Sequence, residues 1–394
     1  MASGNPAEGR YPIAAAVLGL LLAGSFLPSP LYAYYGAQWH LTPGQISGVF
    51  AIFSGSLIPT LLLFGGISDD LGRRKTLLIA LGIAALAAAT LACASNFWGL
   101  LGGRFLQGIA IGIGYPTATA AIREWLPPEM QNRSGAVAMI GVALGSALGA
   151  LLAGILGQYA PFPTVLPFVA YILLLGAIAL IVRTVPSSPH THSAAHHGLP
   201  TIPHATRRPF LIAAAQSFVG WAVVAIFVSL VPSFLDVALG VHNLLIGSFT
   251  VCGVQAGSLV AVAISGRFNN RLAIISALFA LGAGIWTLLV GVSDHAFVLL
   301  VLAVLLVGLG NGLGFIAGLN IVNAIAPPEH RAETLAALFV ASYLGFSIPP
   351  LTVGIAANHV GLYVAIAGGG ITLGVIAVAT MLAATRHNLE AAPV

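Results

Sequence analysis

The sequence predicts an all-α integral membrane protein of twelve transmembrane helices, arranged as two six-helix bundles of similar plan. Three observations carry this. Of 394 residues, 58% are hydrophobic and only 6% charged, against roughly 25% charged residues in a soluble domain, so water is not the main solvent of this chain. The apolar residues fall into twelve runs, each near or above the ~20 residues that cross ~30 Å of hydrocarbon, and such runs must be helical for their backbone groups to be paired. The chain also repeats itself: Gly108, Gly112, Gly114, Gly145 and Gly154 recur 200 residues later as Gly308, Gly312, Gly314, Gly345 and Gly354, and Pro127-Pro128-Glu129 recurs as Pro327-Pro328-Glu329.

In order, the runs cover about 11–35, 45–67, 76–95, 97–123, 134–157, 164–183, 210–235, 243–265, 272–291, 296–325, 332–356 and 361–384. The polar start, Met1 to Arg10, followed by an apolar run that ends in aromatics rather than small residues, predicts a retained first helix and not a cleaved signal peptide. The longest connection, Thr184 to Arg208, is rich in Pro, Ser, Ala and His. It divides the chain into an N-terminal bundle (1-183), a linker (184-208) and a C-terminal bundle (209-394).

With the N-terminus inside, Arg10, Arg73, Arg74, Lys75, Arg123, Arg133, Arg183, Arg207, Arg208, Arg267, Arg271, Arg331 and Arg386 all fall on the cytoplasmic side. That accounts for every Lys and Arg except Arg104, the asymmetry that membrane insertion imposes. The predicted location is therefore the plasma (inner) membrane, with both termini cytoplasmic. Trp39, Trp98 and several tyrosines lie near span ends, where interfacial aromatics belong. The net charge of +4 gathers in short loops and forms no nucleic-acid patch.

The densest charge lies at Gly65 to Lys75, where Gly65 and Gly66 close the second run, Asp69 and Asp70 follow, Gly72 permits a sharp turn, and Arg73, Arg74 and Lys75 open the third. The spacing Gly65-x-x-x-Asp69-x-x-Gly72-Arg73-Arg74 resembles the signature between the second and third helices of the major facilitator superfamily, although Asp70 stands where that family usually has a cation. The resemblance implies a cytoplasmic gating loop of Gly65, Asp69, Gly72, Arg73 and Arg74. In the fourth run, Arg104 is the only basic residue inside a span. A bare charge there costs at least ~2.5 kcal/mol, so Arg104 is expected to face a water-filled cavity or a buried partner. Arg104-x-x-Gln107-Gly108 also resembles the family's fourth-helix signature, which implies substrate binding or proton coupling. A structural arginine bonding helix carbonyls is the competing reading. Gly141-x-x-x-Gly145-Ser146-x-x-Gly149 partly resembles the antiporter signature of the fifth helix, with Ser146 in place of its proline and Ala150 in place of its last glycine. Close helix packing explains these small residues equally well.

Further candidates are neutral. Pro28-Ser29-Pro30-Leu31-Tyr32 breaks the first run and exposes carbonyls, placing Tyr32 beside the break. The seventh run offers Gln216, Ser217, Trp221, Ser229 and Pro232, the tenth Asn311 and Asn320, the eleventh Tyr343. Such groups suit an uncharged polar pocket, or hold helices together. No Asp or Glu falls mid-span, and Asp236 at the outer end of the seventh run comes nearest. Cys93 and Cys252 have neither pairing nor ligand spacing, and His190, His192, His196, His197 and His204 read as incidental residues of a Pro-rich linker, with metal binding as the alternative. No metal, cofactor or nucleic acid is expected.

Together these features predict a monomeric secondary transporter for a small organic solute, working by alternating access and coupled to protons. Its preferred direction is efflux by antiport, and an uptake porter or facilitator for a small polar metabolite is the alternative. A membrane-embedded enzyme would need an intramembrane His cluster, carboxylate pair or metal-ligand spacing, and the sequence offers none.

Overall fold

The structure is a computed structural model, and it describes residues 9–64, 66–186, 206–240, 243–326, 331–387 and 389. The linker histidines, Gly65 and the second Pro-Pro-Glu lie outside these residues. Among the described residues there is no strand, and twelve helical segments are long and apolar enough to cross a membrane.

The first span is broken, as its prolines require. α1 (Tyr11–Phe26) gives way to a single tight turn at Ser29–Leu31, and α2 (Tyr32–Trp39) completes the crossing. α3 (Pro43–Phe64) leads into a five-residue helix, α4 (Ile67–Leu71), and then α5 (Arg73–Ala92). Gly72 between them has φ +83° and ψ 146°, a conformation a side chain would strain, so the sharp turn read from the sequence depends on that glycine. α6 (Phe97–Trp125) starts where the Asn96 side chain accepts from the Gly99 N–H at 3.1 Å, satisfying one of the orphan donors of a helix start. α7 (Ser134–Tyr159) and α8 (Leu166–Arg183) follow.

The seventh span is broken too. α9 (Arg207–Ser229) ends at Leu230, and α10 (Val231–Leu239) restarts immediately with Pro232 in its first turn. α11 (Leu244–Ile264), α12 (Asn270–Ser293), α13 (Phe297–Ile325), α14 (Arg331–Val360) and α15 (Leu362–Arg386) complete the chain.

The helices form two compact units. Unit 1 comprises Met1–Tyr34, Ile52–His197 and Leu244–Ser248, and unit 2 comprises Tyr35–Ala51, Gly198–Asn243 and Phe249–Val394. The repeated glycines do the same work in each. In unit 1, a methyl group on Gly108 would strike Phe53 O of α3, and one on Gly112 would lie 2.7 Å from Thr60 Cβ. In unit 2, Gly308 meets Val254 O of α11 in the same way, and Gly312 would lie 2.6 Å from Ala261 Cβ. Gly145 rests on Gly19 O of α1, and Gly345 on Phe218 O of α9. Gly154 rests on Ser248, whose Oγ donates to Ala150 O at 2.7 Å, and Gly354 rests on Ser47. The 200-residue repeat is thus a repeat of helix crossings, set by backbones that touch where side chains are absent. In lipid, where tails are as apolar as leucine, such contact is what holds helices together.

The small residues of α7 make crossings of the same kind. Gly141, Gly145 and Gly149 seat successive turns of α1 through Ala15 O, Gly19 O and Ala23 O. Ser146 is buried and donates to Val142 O of its own helix at 2.7 Å. Large apolar side chains such as Leu173, Phe279 and Val375 point outward and exposed, as a chain solvated by lipid allows.

Candidate functional site

The centre of unit 1 is built on a consequence of proline chemistry. Pro28 has no N–H, so the carbonyl four residues earlier, Gly24 O, loses its helical donor. Gln107 of α6 supplies one: its Nε2 donates to Gly24 O at 2.7 Å. Arg104, one turn earlier on the same face, donates from Nη1 to Ser25 O at 2.8 Å and to Gln107 Oε1 at 2.8 Å. Its guanidinium also lies 4.6 Å from the centre of the Phe53 ring, a cation–π contact that favours a desolvated charge. Tyr32, 1% exposed, sits at the start of α2 within electrostatic reach of Arg104. One residue not singled out from the sequence joins them. The Tyr171 hydroxyl of α8 donates to Leu20 O at 2.9 Å, and a tyrosine within an apolar run was the signal available for it.

Arg104 therefore does not face open water. It is 1% exposed and Gln107 4%. The carbonyls beside the Pro28 break and the Gln107 amide give the cation buried protein partners at hydrogen-bonding distance.

Unit 2 has a neutral cluster in the corresponding spans. Gln216 of α9 is fully buried and lies over Gly314 of α13, where a methyl group would collide with its amide. One turn on, a methyl group at Gly220 would lie 2.9 Å from Asn311 Oδ1 and 3.5 Å from Gln216 Nε2, so the two amides flank that glycine. The Ser217 hydroxyl reaches Gln216 Oε1 at 3.5 Å. Trp221 is ringed by Phe315, Phe346 and Tyr343, with ring centres 5.9, 5.5 and 6.5 Å away. The structure thus brings Gln216, Trp221, Asn311 and Tyr343 together.

It does not bring in Asn320, which is exposed and bonds to Asn270 Oδ1 of α12 at 3.4 Å, two turns beyond Asn311. Ser229 Oγ donates to Ala225 O of its own helix at 2.7 Å. Asp236 lies in α10, and its side chain is outside the described residues.

At the hairpin between α3 and α5, Asp69 pairs with Arg73 at 2.6 Å, so the cation that holds it comes from its own loop. Arg73 also forks onto Glu124 at the end of α6, with Nη2 2.6 Å from Oε1, and contacts the Ser68 hydroxyl. Arg74 donates to Val185 O at 3.0 Å, and Arg10 to Thr184 O at 2.8 Å. Ion pairs at the surface contribute about 0–1 kcal/mol singly, and Arg73 and Asp69 are only partly buried, so this network should act on loop geometry more than on stability. Asp69→Asn should leave the melting temperature within about 2 °C of wild type. It should also raise the reactivity of cysteines introduced at 66–72 in a chain lacking Cys93 and Cys252. Unchanged labelling would leave the ion pair without a gating role.

Among the described residues no group of three or more His, Cys, Asp or Glu side chains is placed to hold a metal ion.

The model of the Major Facilitator Superfamily matches residues 14–350 and, in a second match, 235–393. The chain is 28% identical over 163 residues to an uncharacterised MFS-type transporter, YybF, of Bacillus subtilis, a match covering 40% of this chain and 39% of that protein. It is 32% identical over 115 residues to the gallate transporter of Pseudomonas putida, covering 29% and 26%. The matched stretches thus span less than half of these relatives. A bacterial homologue of the human lysosomal transporter Spinster superposes with a TM-score of 0.75 at 16% identity over 97% of both chains, which is a likeness of fold. With a family match running through both sets of helices, the chain belongs to the Major Facilitator Superfamily of membrane transporters.

Proposed function

We propose that this protein is a secondary active transporter that moves a small organic solute by alternating access of two six-helix halves, 1-183 and 209-394. In this reading it works as a monomer in the inner (plasma) membrane, with both termini cytoplasmic, and exports its solute against entering protons. One observation carries it: each unit buries hydrogen-bonding groups at mid-span, a cation with an amide in unit 1 and two amides with an indole N–H in unit 2. Groups of this kind are costly inside a bilayer and mark solute or ion pathways. The gallate carried by a partial relative is a small organic solute of the size intended here.

A second reading, an uptake porter or facilitator for a small polar metabolite, is favoured by one feature. Among the described residues no carboxylate lies at mid-span; Asp69, Asp70, Glu124, Glu129, Asp294 and Glu333 all sit at helix ends or in loops. The test is solute flux in liposomes with and without a pH gradient, for the wild-type protein and for Asp236→Asn. Proton-coupled export predicts gradient-driven flux that Asp236→Asn abolishes or cuts at least tenfold. Flux indifferent to the gradient selects the facilitator. Full gradient-driven flux in the variant removes Asp236 from coupling.

A further inference from the structure

We propose that the cluster in unit 2 is a half-site for a flat aromatic or heteroaromatic solute bearing an acceptor oxygen, held by hydrogen bonds from Gln216 Nε2 and Trp221 Nε1. This rests on the transport reading and names the chemical class of the solute. Both nitrogens are buried, and neither has a hydrogen-bond partner among the described residues. A buried donor without an acceptor opposes folding. In hydrocarbon, where no bulk water enters, it is retained only with a compensating role.

Packing does not demand the amide. The repeat supplies the control: Gly114 of unit 1, the counterpart of Gly314, meets the apolar Leu21 side chain of α1 where Gly314 meets the Gln216 amide. A hydrocarbon side chain therefore fills that notch without an orphaned donor. Unit 2 places an amide there and leaves Gly220 bare beside it, so that Gln216 and Asn311 both reach the same turn.

The two donors also share a wall. Gln216 lies on Gly314 and Trp221 on Phe315, neighbours in one turn of α13, and Phe346 and Tyr343 of α14 stand on the other side of the indole. Aromatic edges and faces around polar N–H groups recognise a planar ring carrying an oxygen acceptor. No charged side chain is among these residues, so a carbonyl or neutral acid suits this half-site at least as well as an anion.

Thermal unfolding of the full chain in detergent tests the assignment, with benzamide and benzoic acid as probes. Cyclohexanecarboxamide serves as an acceptor without the aromatic ring, and toluene as a ring without the acceptor. The probes should raise the melting temperature saturably, at concentrations at least tenfold below any effect of the controls. Trp221→Phe keeps a ring and removes the N–H, and should weaken probe binding about tenfold. Gln216→Leu should melt at or above the wild-type temperature without ligand, because the orphaned donor is gone, yet lose the probe-induced shift. A purely structural amide would give the opposite pair of results, a lower melting temperature and a retained shift, and would overturn the proposal. Wild-type protein that none of the aromatic probes stabilises would overturn it equally. Probe binding without flux in liposomes would sink the transport reading and leave the half-site standing. Flux of a non-aromatic solute without probe binding would sink the half-site alone.

Discussion

Arg104→Lys should insert and accumulate like the wild-type protein yet transport at least tenfold more slowly, and Arg104→Ala should in addition unfold more readily, by roughly 2–4 kcal/mol. The difference follows from what the guanidinium does. One nitrogen serves both Ser25 O and Gln107 Oε1 while the planar group lies against Phe53. Lysine keeps the charge but is a compact, strongly hydrated ammonium without that plane. It must draw in water or shift α1 at the break beside Pro28. Alanine leaves Ser25 O without this donor and opens a cavity. Removing the charge also relieves the ~2.5–3.5 kcal/mol cost of holding it in the bilayer, so Arg104→Met, which keeps the bulk, should melt close to wild type and still fail to transport. Flux at matched protein levels together with melting curves separates these outcomes. Wild-type flux in all three variants would make Arg104 a clamp on the broken helix and nothing more.

Gly145→Val should abolish accumulation of folded protein, or cost about 3 kcal/mol or more where it can be purified, because its Cβ would fall on Gly19 O. Backbone cannot step aside as a side-chain tip can, so α1 and α7 would have to part along their length. Gly345→Val should do the same against Phe218 O in unit 2. The contrast is Gly135→Ala, also in α7, where nothing lies within 4 Å of the new methyl group. That change should be neutral, or stabilising by about 0.5–1 kcal/mol through helix propensity. Melting temperatures in one detergent decide this. Comparable behaviour of Gly135→Ala and Gly145→Val would show that the close crossings do not hold the unit together.

Two features of the site were legible in residue order because they follow from single residues. Pro28 and Pro30 forecast a broken first span, and the depth of Arg104 in an apolar run forecast a buried cation that needs a partner. What that partner would be was not legible. Gly24 O and Ser25 O are backbone atoms 79 or more residues away, and no side-chain pattern announces a carbonyl. Tyr171 escaped notice for the same reason, since its acceptor is Leu20 O on another helix. Asn320 and Asn311 have the same chemistry and share one helix, and only the tertiary structure separates them, one exposed beside Asn270 and one buried beside Gly220.

The sequence by itself determined the solvent, the number of crossings, the internal repeat and the places where helices break. These depend on local quantities: apolar run length, proline at a given position, glycine at a fixed interval. The tertiary structure decided which glycines are crossings, which neighbour each polar group meets, and that Arg104 is closed over rather than open to water. Those depend on which helix faces which. In lipid that choice rests on close backbone contact and on hydrogen bonds between spans, both of them relations between residues far apart in the chain.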